Sequence, residues 1–218
     1  MIIDRRALTV ALTMGGVIAL SEVSPLRLVA PALAQNAAAA VAQPTALPDM
    51  ALGPADAPVT IVEYASLTCP HCAYFNREVF PRIKSTYVDT GKIRYVFREF
   101  PRDIKDAAGA MLARSIAKDD RVKYFAVIDV LFRQQDQLLE KTTETLTRVG
   151  KQAGLSEQAI ETCLKDQTLL DKLVAGRTFA IEMLKIPGTP TFFLNGAMVK
   201  GVPSFEDLEK QIEPLLKS

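Results

Sequence analysis

The segment Cys69-Pro70-His71-Cys72 holds the residues of this chain whose types and spacing are best suited to chemistry. Two thiols separated by two residues can bind a metal ion, close a structural disulfide, or exchange disulfides with other thiols. A structural zinc site normally takes four ligands in two pairs, and the chain offers one pair, its only histidine and a distant Cys163. A purely structural bridge would close a loop of only two intervening residues and constrain the unfolded chain little.

The local sequence favours disulfide exchange. Pro70 suits the first position of a helix, and this places Cys69 at the N-cap. Free N–H groups and the positive end of the helix dipole stabilise a thiolate there and lower its pKa, and an imidazole at His71 adds a donor. Cys72 lies about one turn further along the same helix face. We therefore expect Cys69 to be the exposed thiol and Cys72 its less exposed partner.

The sequence around this pair predicts alternating strands and helices. Val59–Ala65 has the composition of a strand, a helix from Pro70 to about residue 86 is expected to kink at Pro81, and residues 92–97 alternate like a second strand. Asn195-Gly196 predicts a hairpin, and Ser204 begins a last helix to about Leu216. Five helices are predicted between these parts, at residues 104–118, 120–134, 142–153, 156–164 and 166–184.

A second candidate feature is Ile186-Pro187-Gly188-Thr189-Pro190-Thr191, which leads into the hairpin. Prolines and a glycine before a strand are ordinary turn residues. The sharper prediction is a cis bond between Thr189 and Pro190. Because Pro190 has no N–H, the backbone of Thr189 would then be free to pair with an extended substrate peptide.

Taken together, VEYASLTCPHC (62–72), YVFREFP (95–101) and GTPTFFLNG (188–196) resemble the DsbA-like periplasmic thiol:disulfide oxidoreductases. The resemblance covers roughly residues 50–217. It implies an α/β thioredoxin fold with a mixed central sheet and an inserted all-helical domain. The predicted organisation is a signal peptide (1–34), a flexible leader without packed structure (35–48), a thioredoxin-fold domain (49–102 and 185–218) and the helical insertion (103–184).

The resemblance also implies roles for individual residues. Cys69 would be the nucleophile, Cys72 the resolving thiol, and cis-Pro190 would face them with Thr189. Glu63 matches a strand acid that lies under the active site in this family and helps to move the proton of the buried cysteine; an exposed edge-strand charge is the alternative. Asn76 and Arg77 stand where some relatives carry acids.

The N-terminus predicts export. Arg5 and Arg6 precede an uncharged run of 14 residues, Ala7–Leu20, and cleavage is expected before Gln35. The run is shorter than the roughly 20 residues of a spanning helix, which disfavours a membrane anchor. Residues 35–218 then carry 23 basic and 23 acidic side chains, so charge gives no indication of a nucleic-acid or anionic-membrane partner. An oxidising compartment, the periplasm, suits a redox-active cysteine pair.

The prediction is therefore an oxidase that gives its Cys69–Cys72 disulfide to exported proteins with free thiols, with no metal and no separate cofactor. The resemblance implies a quinone-linked membrane protein as its re-oxidase. A disulfide isomerase or reductase, or a non-enzymatic chaperone or binding module of the same fold, is the alternative. Cys163 is expected to be a buried small hydrophobe, and Arg98 and Glu99 to be solvated at a strand end.

Overall fold

The computed structural model describes residues 38–217. Its strands form one mixed sheet: β2 and β3 run parallel, and every other neighbouring pair is antiparallel. This confirms the predicted fold, since a helix joins the parallel pair and a hairpin follows. The strands are β1 (Met50–Leu52), β2 (Val59–Ala65), β3 (Ile93–Glu99), β4 (Thr191–Leu194) and β5 (Ala197–Val199), in the spatial order β1-β3-β2-β4-β5. The edge strand β1 has three residues, too few for an alternating pattern in the sequence.

The helix after β2 is continuous from residue 70 to 88 but is interrupted by wider turns. It consists of α2 (Pro70–Tyr74), a π-helical turn (Phe75–Val79), α3 (Phe80–Ile83) and a second π-helical turn (Lys84–Val88). Pro81 donates no hydrogen bond and its ring would clash with the carbonyl four residues earlier, at Arg77. That carbonyl lies in the first π-helical turn, so the chain accommodates Pro81 by a local widening.

The predicted helical block is present, with one helix more than expected. Its helices are α4 (Ile104–Ala117), α5 (Arg121–Arg133), α6 (Gln135–Glu140), α7 (Thr142–Gln152), α8 (Glu157–Leu164) and α9 (Gln167–Glu182). The additional helix is the short α6, which lies between the helices predicted at 120–134 and 142–153. The last helix, α10 (Phe205–Leu215), begins after a capping box in which Ser204 and Asp207 bond each other's backbone N–H, as predicted.

The sheet has an apolar core on each face. Ile61, Tyr95 and Phe97 point to one face and pack with α2 and most of the helical block. Val62, Tyr64 and Val96 alternate to the other face and pack with a second cluster. That second cluster also contains Ala180 of α9 and Leu184, two residues after α9 ends, so the helical block covers part of both faces.

The prediction of an unpacked leader is wrong for residues 38–48. A short helix, α1, spans 38–42, and Val41 is buried in the second core. Arg98 donates from Nη1 to the Val41 carbonyl at 2.9 Å. This segment therefore packs because a long-range partner on β3 holds its backbone, a contact that composition does not reveal.

Arg98 and Glu99 are also not solvated, contrary to the prediction. Arg98 is buried and ion-pairs with Asp49 at 2.8 Å. Glu99 forms an ion pair with Arg114 of α4 at 2.5 Å, and both of these side chains are 8% exposed. The end of β3 lies beneath the leader and α4 rather than at the surface, and this requires each charge to be paired.

In the part of the chain that the structure describes, no helix combines the length and hydropathy needed to cross a bilayer. The predicted signal peptide at 1–34 lies outside the described residues.

Candidate active site

The cysteine pair lies where β2 ends and α2 begins. Cys69 is the N-cap residue, with extended backbone dihedrals (φ −92°, ψ 121°), and Pro70 occupies the first turn, as predicted. The exposed fraction is 0% for Cys72 and only 2% for Cys69, so the prediction of an exposed Cys69 is wrong. The Cys69 thiol donates to the Thr189 carbonyl at 3.2 Å, and the loop that contains Thr189 covers the sulfur.

The two thiols differ strongly in acidity. The pKa of Cys69 is lowered to about 5, chiefly by a hydrogen bond from the Cys72 thiol, while burial opposes the shift. The Cys69 side chain makes no capping hydrogen bond, yet the N–H groups of His71 and Cys72 at the start of α2 also lower its pKa. Burial raises the pKa of Cys72 far above its ordinary value, and the hydrogen bond to Cys69 and the charge of Glu63 act in the same direction. The fold therefore makes one thiol acidic and keeps the other protonated.

The structure places His71 differently from its predicted role. Its side chain is exposed, and the contribution of His71 to the pKa of Cys69 comes from the backbone N–H rather than the imidazole. A donor at this position therefore needs no histidine, because any residue other than proline would supply the same N–H.

The loop that faces Cys69 contains the predicted cis bond, between Thr189 and Pro190. Pro190 is buried and β4 starts directly after it. Cys69 and Thr189 line one open groove of about 720 Å³, and Pro70 and Gly188 also contribute to it. The groove gives a peptide access to the residues on either side of the Cys69 sulfur.

Glu63 is buried beneath the pair rather than exposed at an edge. It lies on the central strand β2, is 3% exposed, and accepts a short hydrogen bond from the Tyr95 hydroxyl. Burial raises the pKa of Glu63 to about 8, with a smaller contribution from the charge of Cys69 and an opposing one from Tyr95. Glu63 therefore carries a proton at neutral pH, and it lies close enough to the pair for its charge, once ionised, to raise the pKa of Cys72.

Glu63→Gln is expected to stabilise the reduced protein at neutral pH. The folded pKa is raised from 4.5 to about 8, so the folded carboxyl resists ionisation and stability falls as pH rises between these values. At pH 7 the raised pKa lowers the free energy of unfolding by about 3 kcal/mol. A neutral glutamine avoids this loss and can still accept the Tyr95 hydrogen bond. Urea unfolding should give variant and wild type similar stabilities at pH 4 and separate them at pH 7. Glu78→Gln, at an exposed position in the helix that follows β2, is the control. Equal stabilities of Glu63→Gln and wild type at both pH values would contradict the prediction.

Side chains from the helical block fix the loop before Cys69, and the sequence did not indicate them. Asp106 is buried and accepts hydrogen bonds from the Leu67 N–H at 2.8 Å and the Arg102 N–H at 2.9 Å. Gln135 is buried and donates from Nε2 to the carbonyls of Leu67 at 2.7 Å and Cys69 at 3.0 Å. These groups satisfy the backbone polar atoms of a buried loop and so hold Cys69 in place.

The third cysteine is distant from the pair and buried, as predicted. The Cys163 thiol donates to the Met111 carbonyl at 3.3 Å, and burial raises its pKa. Within residues 38–217, no group of three or more histidine, cysteine or acidic side chains is arranged to hold a metal ion.

Comparison with known proteins matches the chain to relatives in both sequence and structure. Residues 45–214 match the family model described as Thioredoxin. A putative protein-disulfide oxidoreductase of Rickettsia bellii is 38% identical over 154 residues, which cover 70% of this chain and 59% of that relative. The probable disulfide bond formation protein D of Bacillus anthracis is 32% identical over 171 residues, covering 76% of this chain and 77% of that protein.

Among solved structures, the crystal structure of alpha-DsbA1 from Wolbachia pipientis superposes with a TM-score of 0.73 at 34% identity. The superposition covers 81% of this chain and 94% of alpha-DsbA1. In contrast, the chain spans only 59–62% of the length of the curated Rickettsia relatives.

Proposed function

The chain belongs to the DsbA-like proteins of the thioredoxin family, and on that premise we propose that it is a thiol:disulfide oxidoreductase that introduces disulfides into exported proteins. The observation that carries this proposal is the inequality of the two thiols, with a Cys69 pKa of about 5 and a buried, protonated Cys72. A stabilised Cys69 thiolate favours the reduced pair over its disulfide, so the oxidised protein is a strong oxidant.

In the proposed reaction, a substrate thiolate attacks the Cys69 sulfur of the Cys69–Cys72 disulfide. A bond forms between the substrate sulfur and Cys69, and Cys72 leaves with the electron pair of the broken S–S bond. Cys72 has a raised pKa, so it is a poor leaving group until it takes up a proton. Glu63, protonated at neutral pH, supplies that proton from beneath the pair.

The second substrate thiolate then attacks the substrate sulfur of the mixed disulfide. The substrate gains a disulfide, and Cys69 leaves as a thiolate, which its lowered pKa makes a good leaving group. Two electrons pass from the substrate dithiol to the protein in each cycle. Thr189, which precedes the cis bond to Pro190, lines the approach to Cys69, where the substrate backbone pairs.

The substrates in this proposal are unfolded or partly folded proteins with free thiols in the periplasm, and a quinone-linked membrane protein re-oxidises the pair. The names of the relatives, which refer to disulfide bond formation and to protein-disulfide oxidoreductases, support this assignment. The short apolar run and cleavage site predicted at the N-terminus support export.

Alkylation kinetics and a redox titration test the proposal directly. The rate of iodoacetamide labelling at Cys69 should rise with a midpoint near pH 5, because only the thiolate reacts. Equilibration with glutathione should give a reduction potential near or above about −180 mV. A midpoint near pH 8.5 with a potential below about −300 mV would instead indicate a structural bridge in a binding module. A substrate protein with scrambled disulfides separates the two enzyme types, because an isomerase restores the activity of that substrate and an oxidase does not.

A further inference from the structure

The groove beside Cys69 carries positive charge that has no ion-pair partner among residues 38–217. Arg102 and Arg177 line it together with the apolar side chains of Phe100, Ile181 and Ile186. In the part of the chain that the structure describes, no aspartate or glutamate lines the groove. A substrate peptide bound at Cys69 therefore meets two guanidinium groups and an apolar wall.

Neither arginine forms an ion pair with any residue between 38 and 217. Arg98 and Arg114, which are buried nearby, are both paired with carboxylates. The Arg177 guanidinium lies over the Phe100 ring, 5.4 Å from its centroid. The Arg177 Nε is buried without a hydrogen-bond partner.

A buried donor without an acceptor is unfavourable, and the Arg177 guanidinium Nε lacks a hydrogen-bond acceptor among residues 38–217 in the free protein. A carboxylate is the group that best supplies one, since it accepts two parallel hydrogen bonds from the planar guanidinium fork. The Phe100 ring beneath Arg177 holds the fork in place and excludes water from one side.

The lowered pKa of Cys69 has its main causes elsewhere, in the Cys72 thiol, Thr189 and the backbone N–H groups at the start of α2. The position of the two arginines in the groove instead suits contact with the substrate chain on either side of its reacting cysteine.

We propose that the groove selects substrate segments with an acidic side chain within a few residues of the reacting cysteine, and that Arg177 and Arg102 bind its carboxylate. This inference rests on the proposed oxidase function and adds a substrate class to it. Both arginines line the same groove as Cys69, so the acidic residue must be close to the cysteine in sequence. Electrostatic attraction to the arginines also speeds the approach of such segments.

The test uses the oxidised protein and three dithiol peptides that differ only in one residue next to the attacking cysteine: Glu, Gln or Lys. Fluorescence of a labelled peptide reports kcat/KM for each. We expect the Glu peptide to exceed the Gln peptide about tenfold, mainly through KM, and the Lys peptide to be slowest. The preference for Glu should weaken as salt is added.

In Arg177→Gln, kcat/KM for the Glu peptide should exceed that for the Gln peptide by no more than about twofold. Arg177→Lys should restore part of the preference, because lysine has the positive charge but not the planar guanidinium group. Arg121→Gln, an exposed arginine of α5 outside this groove, is the control and should keep the full ratio. The pH midpoint of iodoacetamide labelling at Cys69 should be the same in Arg177→Gln as in the wild type.

Equal rates for the three peptides with the wild type would overturn the inference and leave the proposed function intact. A preference that persists in both Arg177→Gln and Arg102→Gln would also overturn it, as would a raised Cys69 midpoint in Arg177→Gln. Absence of turnover with every peptide would overturn the proposed function and the inference with it.

Discussion

Cys69→Ala is expected to reduce disulfide exchange to the uncatalysed background, and Cys72→Ala to stop turnover by leaving the protein trapped in mixed disulfides. With a pKa of about 5, Cys69 is about 99% thiolate at pH 7, whereas a thiol of pKa 9 is about 1% thiolate. The raised pKa of Cys72 keeps its thiol protonated, so it cannot replace Cys69 as the attacking sulfur.

Cys72→Ala acts through a different step. Cys69 then has no neighbouring thiol to displace a bound substrate, so the mixed disulfide persists. Non-reducing electrophoresis and mass spectrometry of the protein mixed with a thiol peptide disulfide should show this species. The same incubation with Cys69→Ala should give none.

Cys163→Ala is the matched control for both variants, since Cys163 is likewise a buried thiol with a raised pKa but lies away from the pair. It should retain wild-type turnover in an assay that follows oxidation of a dithiol peptide. Retained turnover in Cys69→Ala, or its loss in Cys163→Ala, would refute the assignment of the chemistry to the Cys69–Cys72 pair.

Arg114→Met is expected to cost about 3–5 kcal/mol of unfolding free energy, a large part of the 5–15 kcal/mol of a typical domain. The Arg114 guanidinium donates two hydrogen bonds to Glu99, at 2.5 and 2.7 Å, and a third to the Pro48 carbonyl at 3.0 Å. Removing it leaves the Glu99 carboxylate buried with, among residues 38–217, only the Tyr124 hydroxyl as a side-chain donor.

Urea unfolding followed by circular dichroism measures this loss. Arg133→Met removes an exposed pair with Asp129 and should cost less than about 1 kcal/mol. The double variant Arg114→Met with Glu99→Leu should recover much of the loss, because the unpaired charge is gone. The prediction fails if Arg114→Met and Arg133→Met prove equally stable.

Local patterns made the elements around the site predictable. The composition of Val59–Ala65, the Asn195-Gly196 hairpin and the Ser204 capping box each act within a few residues, and the structure has all three. Pro70 likewise set the start of α2 and made Cys69 its N-cap. These features depend on backbone geometry and hydrogen bonds between near neighbours, which sequence spacing reports.

The errors arose where partners distant in sequence decide the environment. Residues 38–48 look unstructured by composition, yet Arg98 and Arg114 bind the carbonyls of Val41 and Pro48. Arg98 and Glu99 look solvated at a strand end, but the leader and α4 cover them. No local pattern in the sequence reports such long-range pairing.

The sequence by itself determined the cysteine pair, its place at a helix start and the cis bond before Pro190, since each follows from residue type and spacing. That Pro190 faces the pair was implied only by the family resemblance. Only the tertiary structure decided how acidic and how accessible each thiol is. Those properties depend on burial, on the hydrogen bond between the two thiols, on the Thr189 carbonyl over Cys69 and on the buried Glu63. Burial, Thr189 and Glu63 come from residues that folding brings together from distant parts of the chain, so spacing along the sequence does not report them.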